Sequence, residues 1–140
     1  MRVLLDTNII LDVVLAREPF AEDSVQILKL HEQGAIEAYI AAITPINVFY
    51  VTRKLKGRKE AQRAIELILS SLLVCTLNDS VLEQAYKLPF GDYEDAVQHA
   101  SKTASGLDAI VTRDSKDYQN ATLPVLSPAE LLIKLQSSQT

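Results

Sequence analysis

The first eight residues narrow the choice of fold more than any other stretch. Arg2-Val3-Leu4-Leu5 is a short apolar run that stops at a carboxylate, Asp6. A run of this kind reads as a strand buried on both faces, as in a parallel sheet. Thr7 and Asn8 follow, residue types that favour turns and helix starts, and an amphipathic segment begins at Ile9. A carboxylate between a buried strand and a helix falls at the carboxyl edge of the sheet, where open α/β folds bind ligands. Two roles are open to Asp6 at this point: capping the next helix, or serving a site at that edge.

The remaining chain alternates between the same two kinds of segment. Residues 9–15 and 21–33 have helical spacing, with Arg17-Glu18-Pro19-Phe20 breaking the first and Gly34 placed to end the second. Residues 37–43 read as a second strand. Thr44-Pro45-Ile46-Asn47 predicts a helix start, with Thr44 as N-cap and Pro45 at the first helical position. Gly57 punctuates that helix, and residues 59–70 resume as another. Residues 72–77 are a third strand candidate. Ser80-Val81-Leu82-Glu83 fits a capping box for a helix that ends before Pro89. Asp92 or Tyr93 starts the next helix, on which Ala96, Ala100 and Ala104 form a small-residue stripe expected to approach the sheet closely. Residues 107–112 and 123–126 complete the strands, and Ser127-Pro128-Ala129-Glu130 is a capping box for a last helix reaching about residue 136. Such alternation predicts a parallel sheet covered on both faces.

A length of 140 residues suits one domain, 1–140, and 48% hydrophobic residues supply an ample core. The lone cysteine, Cys75, excludes an intramolecular disulfide and reads as a buried thiol in a reducing compartment. No apolar stretch reaches transmembrane length, and Asp6 and Asp12 interrupt any secretory signal. A soluble cytoplasmic protein without membrane attachment is the expectation. The net charge of −4 argues against a generally basic nucleic-acid binder. Yet six of the 14 basic residues, Arg53, Lys54, Lys56, Arg58, Lys59 and Arg63, lie in one segment whose only acid is Glu60. That segment is either a solvated helix surface or a patch for a phosphate backbone.

Acidic residues stand at three places that such a fold brings to one edge. Asp6 follows the first strand; Asp92, Glu94 and Asp95 open a late helix; Asp114 and Asp117 follow the fourth strand. Asp92 and Glu94 also suit a helix N-terminus on charge alone, and Asp114 and Asp117 suit turns. Clustered carboxylates raise one another's pKa unless a cation lies between them. Oxygen-only donors match Mg²⁺ or Mn²⁺. Two such ions about 3.5–4 Å apart can clamp an in-line phosphoryl displacement, so the chemistry points to phosphodiester hydrolysis. His99, one turn beyond Asp95, reads as a structural hydrogen-bonder, and His31 belongs to no acidic constellation. An aspartate-nucleophile phosphatase would want a second Asp where Asn8 stands, and a receiver domain would want its acceptor after a central strand.

Leu4-Leu5-Asp6-Thr7-Asn8, Asp92-Tyr93-Glu94-Asp95-Ala96 and Ile110-Val111-Thr112-Arg113-Asp114 with Asp117-Tyr118, in that order across almost the whole chain, resemble the PIN domain family, the PilT N-terminal nucleases. Length and charge are similar to those of the toxins of bacterial VapBC toxin–antitoxin pairs. The resemblance implies a three-layer α/β/α sandwich with a central, mostly parallel five-stranded sheet. It implies a Mg²⁺- or Mn²⁺-dependent endoribonuclease acting on RNA, commonly a homodimer, with a small antitoxin partner. On the matching motifs, Asp6, Asp95 and Asp114 carry over as the catalytic, metal-binding acids, with Asp92 and Asp117 as further metal-binding candidates. Thr7, Asn8, Asn47, Glu94 and Thr112 would orient carboxylates or water. Arg53, Lys54, Lys56 and Arg58 are candidates for contact with RNA or a partner. The chain departs from the family at one place: the usual Glu early in the helix after the second strand is replaced, and Asn47 occupies its position. A weakly active or non-catalytic PIN-like module that binds RNA or protein is therefore the alternative.

Overall fold

The computed structural model describes residues 1–118 and 124–138, with Asp117 and Ser138 described through their backbone alone. Its elements are β1 (Arg2–Leu5), α1 (Thr7–Val14), α2 (Ala21–Glu32), β2 (Glu37–Ile40), α3 (Ile43–Lys56), α4 (Arg58–Ser71), β3 (Leu73–Val74), α5 (Asp79–Lys87), α6 (Tyr93–Ala104), β4 (Ala109–Val111), β5 (Val125–Leu126) and α7 (Pro128–Ser138). A short 3₁₀ turn, Ser115–Tyr118, follows β4. The five strands pair in the order β3-β2-β1-β4-β5, and every pairing is parallel. The chain thus steps outward from β1 to β3, then returns to lay β4 and β5 on the other side of β1. The direction of winding reverses between β1 and β4, and in open α/β sheets the crevice at such a reversal is where ligands bind.

The strand period of two sorts the side chains into layers. Val3, Leu5, Ala38, Ile40, Ala109 and Val111 face one core, filled by residues such as Ile9, Ile27, Val48, Ile68 and Leu131 from α1, α2, α3, α4 and α7. Leu4 and Ile110 face the other side with Cys75, Leu107 and Tyr118, where α6 lies against β1 and β4. Val3, Leu4 and Leu5 are 0% exposed. At roughly 1.5–3 kcal/mol for each fully buried aliphatic side chain, this short central strand anchors the sheet. The fold is the expected three-layer α/β/α sandwich, and its sheet is wholly parallel.

Several local expectations are corrected. Thr44 is not an N-cap, nor is Pro45 the first helical residue: α3 begins at Ile43, after an Ala42 already in helical conformation and without a side-chain cap. The Thr44 hydroxyl is instead buried 2.9 Å from that of Thr7. β2 ends at Ile40 rather than residue 43, because Thr44 N–H already donates to the Ala41 carbonyl in a turn. Ser80 does not cap α5; Asn78 does, its side chain accepting from Val81 N–H at 3.0 Å. β3 is two residues long and exposed, as an edge strand can be. The alanine stripe serves α5 more than the sheet: Ala96 and Ala100 pack with Val81 and Ala85, and Ala104 is exposed. Leu123, the expected start of β5, lies outside the described residues. The last capping box forms in both directions, Ser127 N–H to Glu130 Oε1 at 2.9 Å and Glu130 N–H to Ser127 Oγ at 3.1 Å.

Candidate active site at the carboxyl edge of β1

Asp6 leaves β1 with its backbone fixed on both sides. Its N–H donates to the Val111 carbonyl at 2.9 Å, and its carbonyl accepts from Ile9 N–H at 2.9 Å. The Asp6 carboxylate makes no capping hydrogen bond to α1. It is 4% exposed, and each oxygen has a donor from another element. Gln98 Nε2 on α6 donates to Oδ1 at 3.0 Å, and Thr112 Oγ1 at the end of β4 donates to Oδ2 at 2.7 Å. Thr112 Oγ1 in turn accepts from Asp114 N–H at 3.0 Å. The parallel register of β1 with β4 (Leu5 beside Val111) places Asp6 and Thr112 next to each other at the reversal point.

The N-terminus of α6 forms the opposite wall. Asp92 caps it, accepting from Asp95 N–H at 3.1 Å. Glu94 reaches back toward α1 and α3: Thr7 Oγ1 lies 3.5 Å from its Oε1, and the Asn47 side chain lines a cavity with it. Asp6, Thr7, Asn8, Asn47, Asp92, Glu94 and Asp95 line one open cavity of about 430 Å³, together with the apolar Leu11, Tyr50 and Val51. Burial pushes the Asp6 carboxyl above its ordinary range; the bonds from Thr112 and Gln98 and the neighbouring Thr7 amide pull it down, and the charge of Asp114 pushes it up. Burial likewise raises Glu94, the Asn47 side chain opposes this, and the charges of Asp92 and Asp6 add to it. Carboxylates that repel one another around an open cavity are a setting for a cation.

Other candidates are placed differently. Asp114 is exposed and touches Asp6 only through the Thr112 hydroxyl and its charge. The Asp117 side chain lies outside the described residues. Arg53, Lys54, Lys56 and Arg58 are exposed at the junction of α3 and α4. Lys54 stands seven residues past Asn47 on α3, hence on the same helical face and about 10 Å further along. His99 is buried against Phe90, and among the described residues neither ring nitrogen has a hydrogen-bond partner. It lines a separate cavity with Ser80, Gln84 and Thr103. His31 is structural: its Nδ1 accepts from Ala38 N–H at 3.0 Å and its Nε2 lies 2.6 Å from the Ser71 carbonyl.

Two participants escape the sequence analysis. Gln98 holds Asp6 from 92 positions away; its spacing of three from Asp95 was the available signal, since that spacing shares a helix face. Arg113, inside one of the motifs, turns away from the site and clamps Asp12, Nε to Oδ2 at 2.8 Å, with its guanidinium over the Phe20 ring at 4.1 Å. Asp12 has a fully buried side chain and also faces Arg17 at 3.7 Å.

The donor set suits a hard cation in one form. Among the described residues no three His, Cys, Asp or Glu side chains form a ready-made metal cage. Mg²⁺, however, keeps several waters and is commonly held by only one or two carboxylates. Asp6 and the acids of α6, around an open cavity walled by further oxygen donors, fit an ion of that kind.

This chain belongs to the PIN domain family: the family model for the PIN domain matches residues 2–116. Among solved structures, DNA-bound VapBC from Salmonella typhimurium is similar with a TM-score of 0.72 at 17% identity, covering 91% of this chain and 98% of that chain. VapBC2 from Rickettsia felis, bound to a promoter DNA fragment, gives 0.71 at 18% identity over 91% and 98%. VapC20 from Mycobacterium tuberculosis, a sarcin-ricin loop cleaving toxin, gives 0.70 at 14% identity over 86% and 95%. No curated protein sequence matches the chain. Among the described residues no helix is long and apolar enough to cross a membrane.

Proposed function

We propose that this protein is a divalent-metal-dependent endoribonuclease, acting in the cytoplasm as the toxin of a toxin–antitoxin pair. One observation carries the reading: acids from the ends of β1 and α6 meet in a single cavity at the point where the sheet reverses its winding. Asp6, aimed by Gln98 and Thr112, is the principal ligand, with Asp92, Asp95 and Asp114 contributing charge at longer range. A bound Mg²⁺ or Mn²⁺ supplies the charge that activates a water and steadies the leaving oxygen of a phosphodiester. Thr112 and Gln98 offset part of the burial cost of the Asp6 charge and fix its rotamer. Asn8 and Thr7 offer neutral groups to orient water. Lys54, with Arg53, Lys56 and Arg58, holds the RNA backbone leading into the cavity.

The names of the similar structures support an antitoxin partner, and the exposed apolar side chains of α3 and α4 offer a surface for it or for a second copy. Ile46, Tyr50, Leu55, Leu67 and Leu69 are 52–61% exposed there. Val48, on the same helix, is core instead. The absence of a three-acid cage among the described residues favours a second reading, an RNA-binding module with little turnover. Incubation of single-stranded RNA with the protein separates the two. Cleavage that needs Mg²⁺ or Mn²⁺ and stops with excess chelator supports the enzyme; RNA retained but intact supports the module.

A further inference from the structure

Glu94 is held more firmly than its position requires. A carboxylate in the first turn of a helix is favoured by the dipole wherever it points, and Asp92 already fills the capping role on α6. Yet Glu94 is half-buried and faces two other helices across the cavity. It lines that cavity with Asn47 on α3 and takes a long contact from Thr7 on α1, and the Thr7 hydroxyl is itself backed by Thr44 at 2.9 Å. Ordering a Glu side chain forfeits up to about 2 kcal/mol of rotamer freedom, and pointing it toward Asp6 adds like-charge repulsion. Three helices share in restraining an arrangement that is unfavourable until a cation arrives.

We propose that Glu94 is the second anionic ligand of the divalent ion beside Asp6, and that Asn47 is its positioning residue. The charge that PIN proteins usually carry on the helix after the second strand is here handed across the cavity from α6. With two carboxylates and neutral oxygens, the site holds one largely hydrated ion, and Mn²⁺ more firmly than Mg²⁺. This rests on the metal-dependent reading above.

The test is a Mn²⁺ titration of the metal-free protein, reading the free-ion electron paramagnetic resonance signal, with thermal melts in chelator to confirm folding. Glu94→Gln should weaken Mn²⁺ binding at least about tenfold while melting no lower than the wild type, because it removes a repelled charge. Asn47→Ala should weaken binding several-fold. The exchanged pair, Asn47→Glu with Glu94→Gln, should return binding to near the wild-type value, which a merely structural role for either residue would not do. Glu60→Gln on α4 should change nothing. If the wild type removes no Mn²⁺ from solution, the metal-dependent reading itself falls. If the wild type binds and Asp6→Asn does not, but Glu94→Gln binds like the wild type, this inference alone is overturned. An exchanged pair as weak as Glu94→Gln would overturn the claim that the two positions address one ion.

Discussion

At Asp6 the chain keeps a carboxylate where burial disfavours its charge. Folding raises its pKa, so the folded protein holds a proton at pH values where the unfolded chain has released it. The sign follows from linkage: that contribution to stability is fully present below the unfolded pKa and is lost as pH rises through the folded one. Asp6→Asn removes the loss. The introduced amide can also donate to Gln98 Oε1, which has no partner among the described residues. In chelator, Asp6→Asn should therefore melt at the same temperature as the wild type or higher at neutral pH, and its advantage should grow between the ordinary carboxylate range and pH 7. A wild type that gains on the variant as pH rises would mean that the charged form is already compensated. The same residue shows what a sequence can disclose: its place after a buried strand marked it, but its two donors stand 92 and 106 positions away, and no local pattern pairs them.

At the scale of elements, the corrected helix starts show where local signals compete. Asn78, Asp79 and Ser80 are three consecutive capping residues. The choice among them is made by Val81, whose buried side chain fixes the register of α5 against α6 and leaves Asn78 to receive its amide. Asn78→Ala should cost about 1 kcal/mol, about 2–4 °C in melting temperature for a chain of this size. Ser80→Ala should stay within about 0.5 kcal/mol. Equal losses from both would restore the capping box read from the sequence. Thr44 was misread for a related reason: a buried hydroxyl across from it outbids solvent-side capping. The Asp12–Arg113 clamp ties α1 to the segment after β4. Removing one partner of a buried pair leaves a buried charge, so Arg113→Ala should lower unfolding stability by about 3 kcal/mol, the low end of the range because Arg113 is partly exposed. A chemical denaturation midpoint within error of the wild type would show that Arg17 alone satisfies Asp12.

Over the whole molecule, strand–helix alternation was legible because apolar runs and helical spacing are local properties. The acids at the junctions were legible for the same reason. The strand order was not, since nothing in a run such as Leu107 to Thr112 says which side of β1 it will join. That order creates the crevice, and with it the path from the cavity along α3 to the basic segment. Lys54 shares a helical face with Asn47, whereas Lys59 lies on the next helix. For single-stranded RNA, Lys54→Ala should therefore flatten the slope of log affinity against log salt by about 0.7, with Lys59→Ala changing it less; the reverse order would detach the basic segment from the site.

The central claim is that Asp6 and the acids of α6 form a metal-dependent centre that cuts RNA. The most direct measurement is cleavage of single-stranded RNA by wild type and Asp6→Asn, each stripped of metal and then titrated with Mn²⁺. The account predicts no cleavage without metal, cleavage by the wild type that rises with Mn²⁺ and stops with excess chelator, and none by an Asp6→Asn variant that melts as a folded protein. Cleavage that survives complete metal removal, or a variant as active as the wild type, would contradict it.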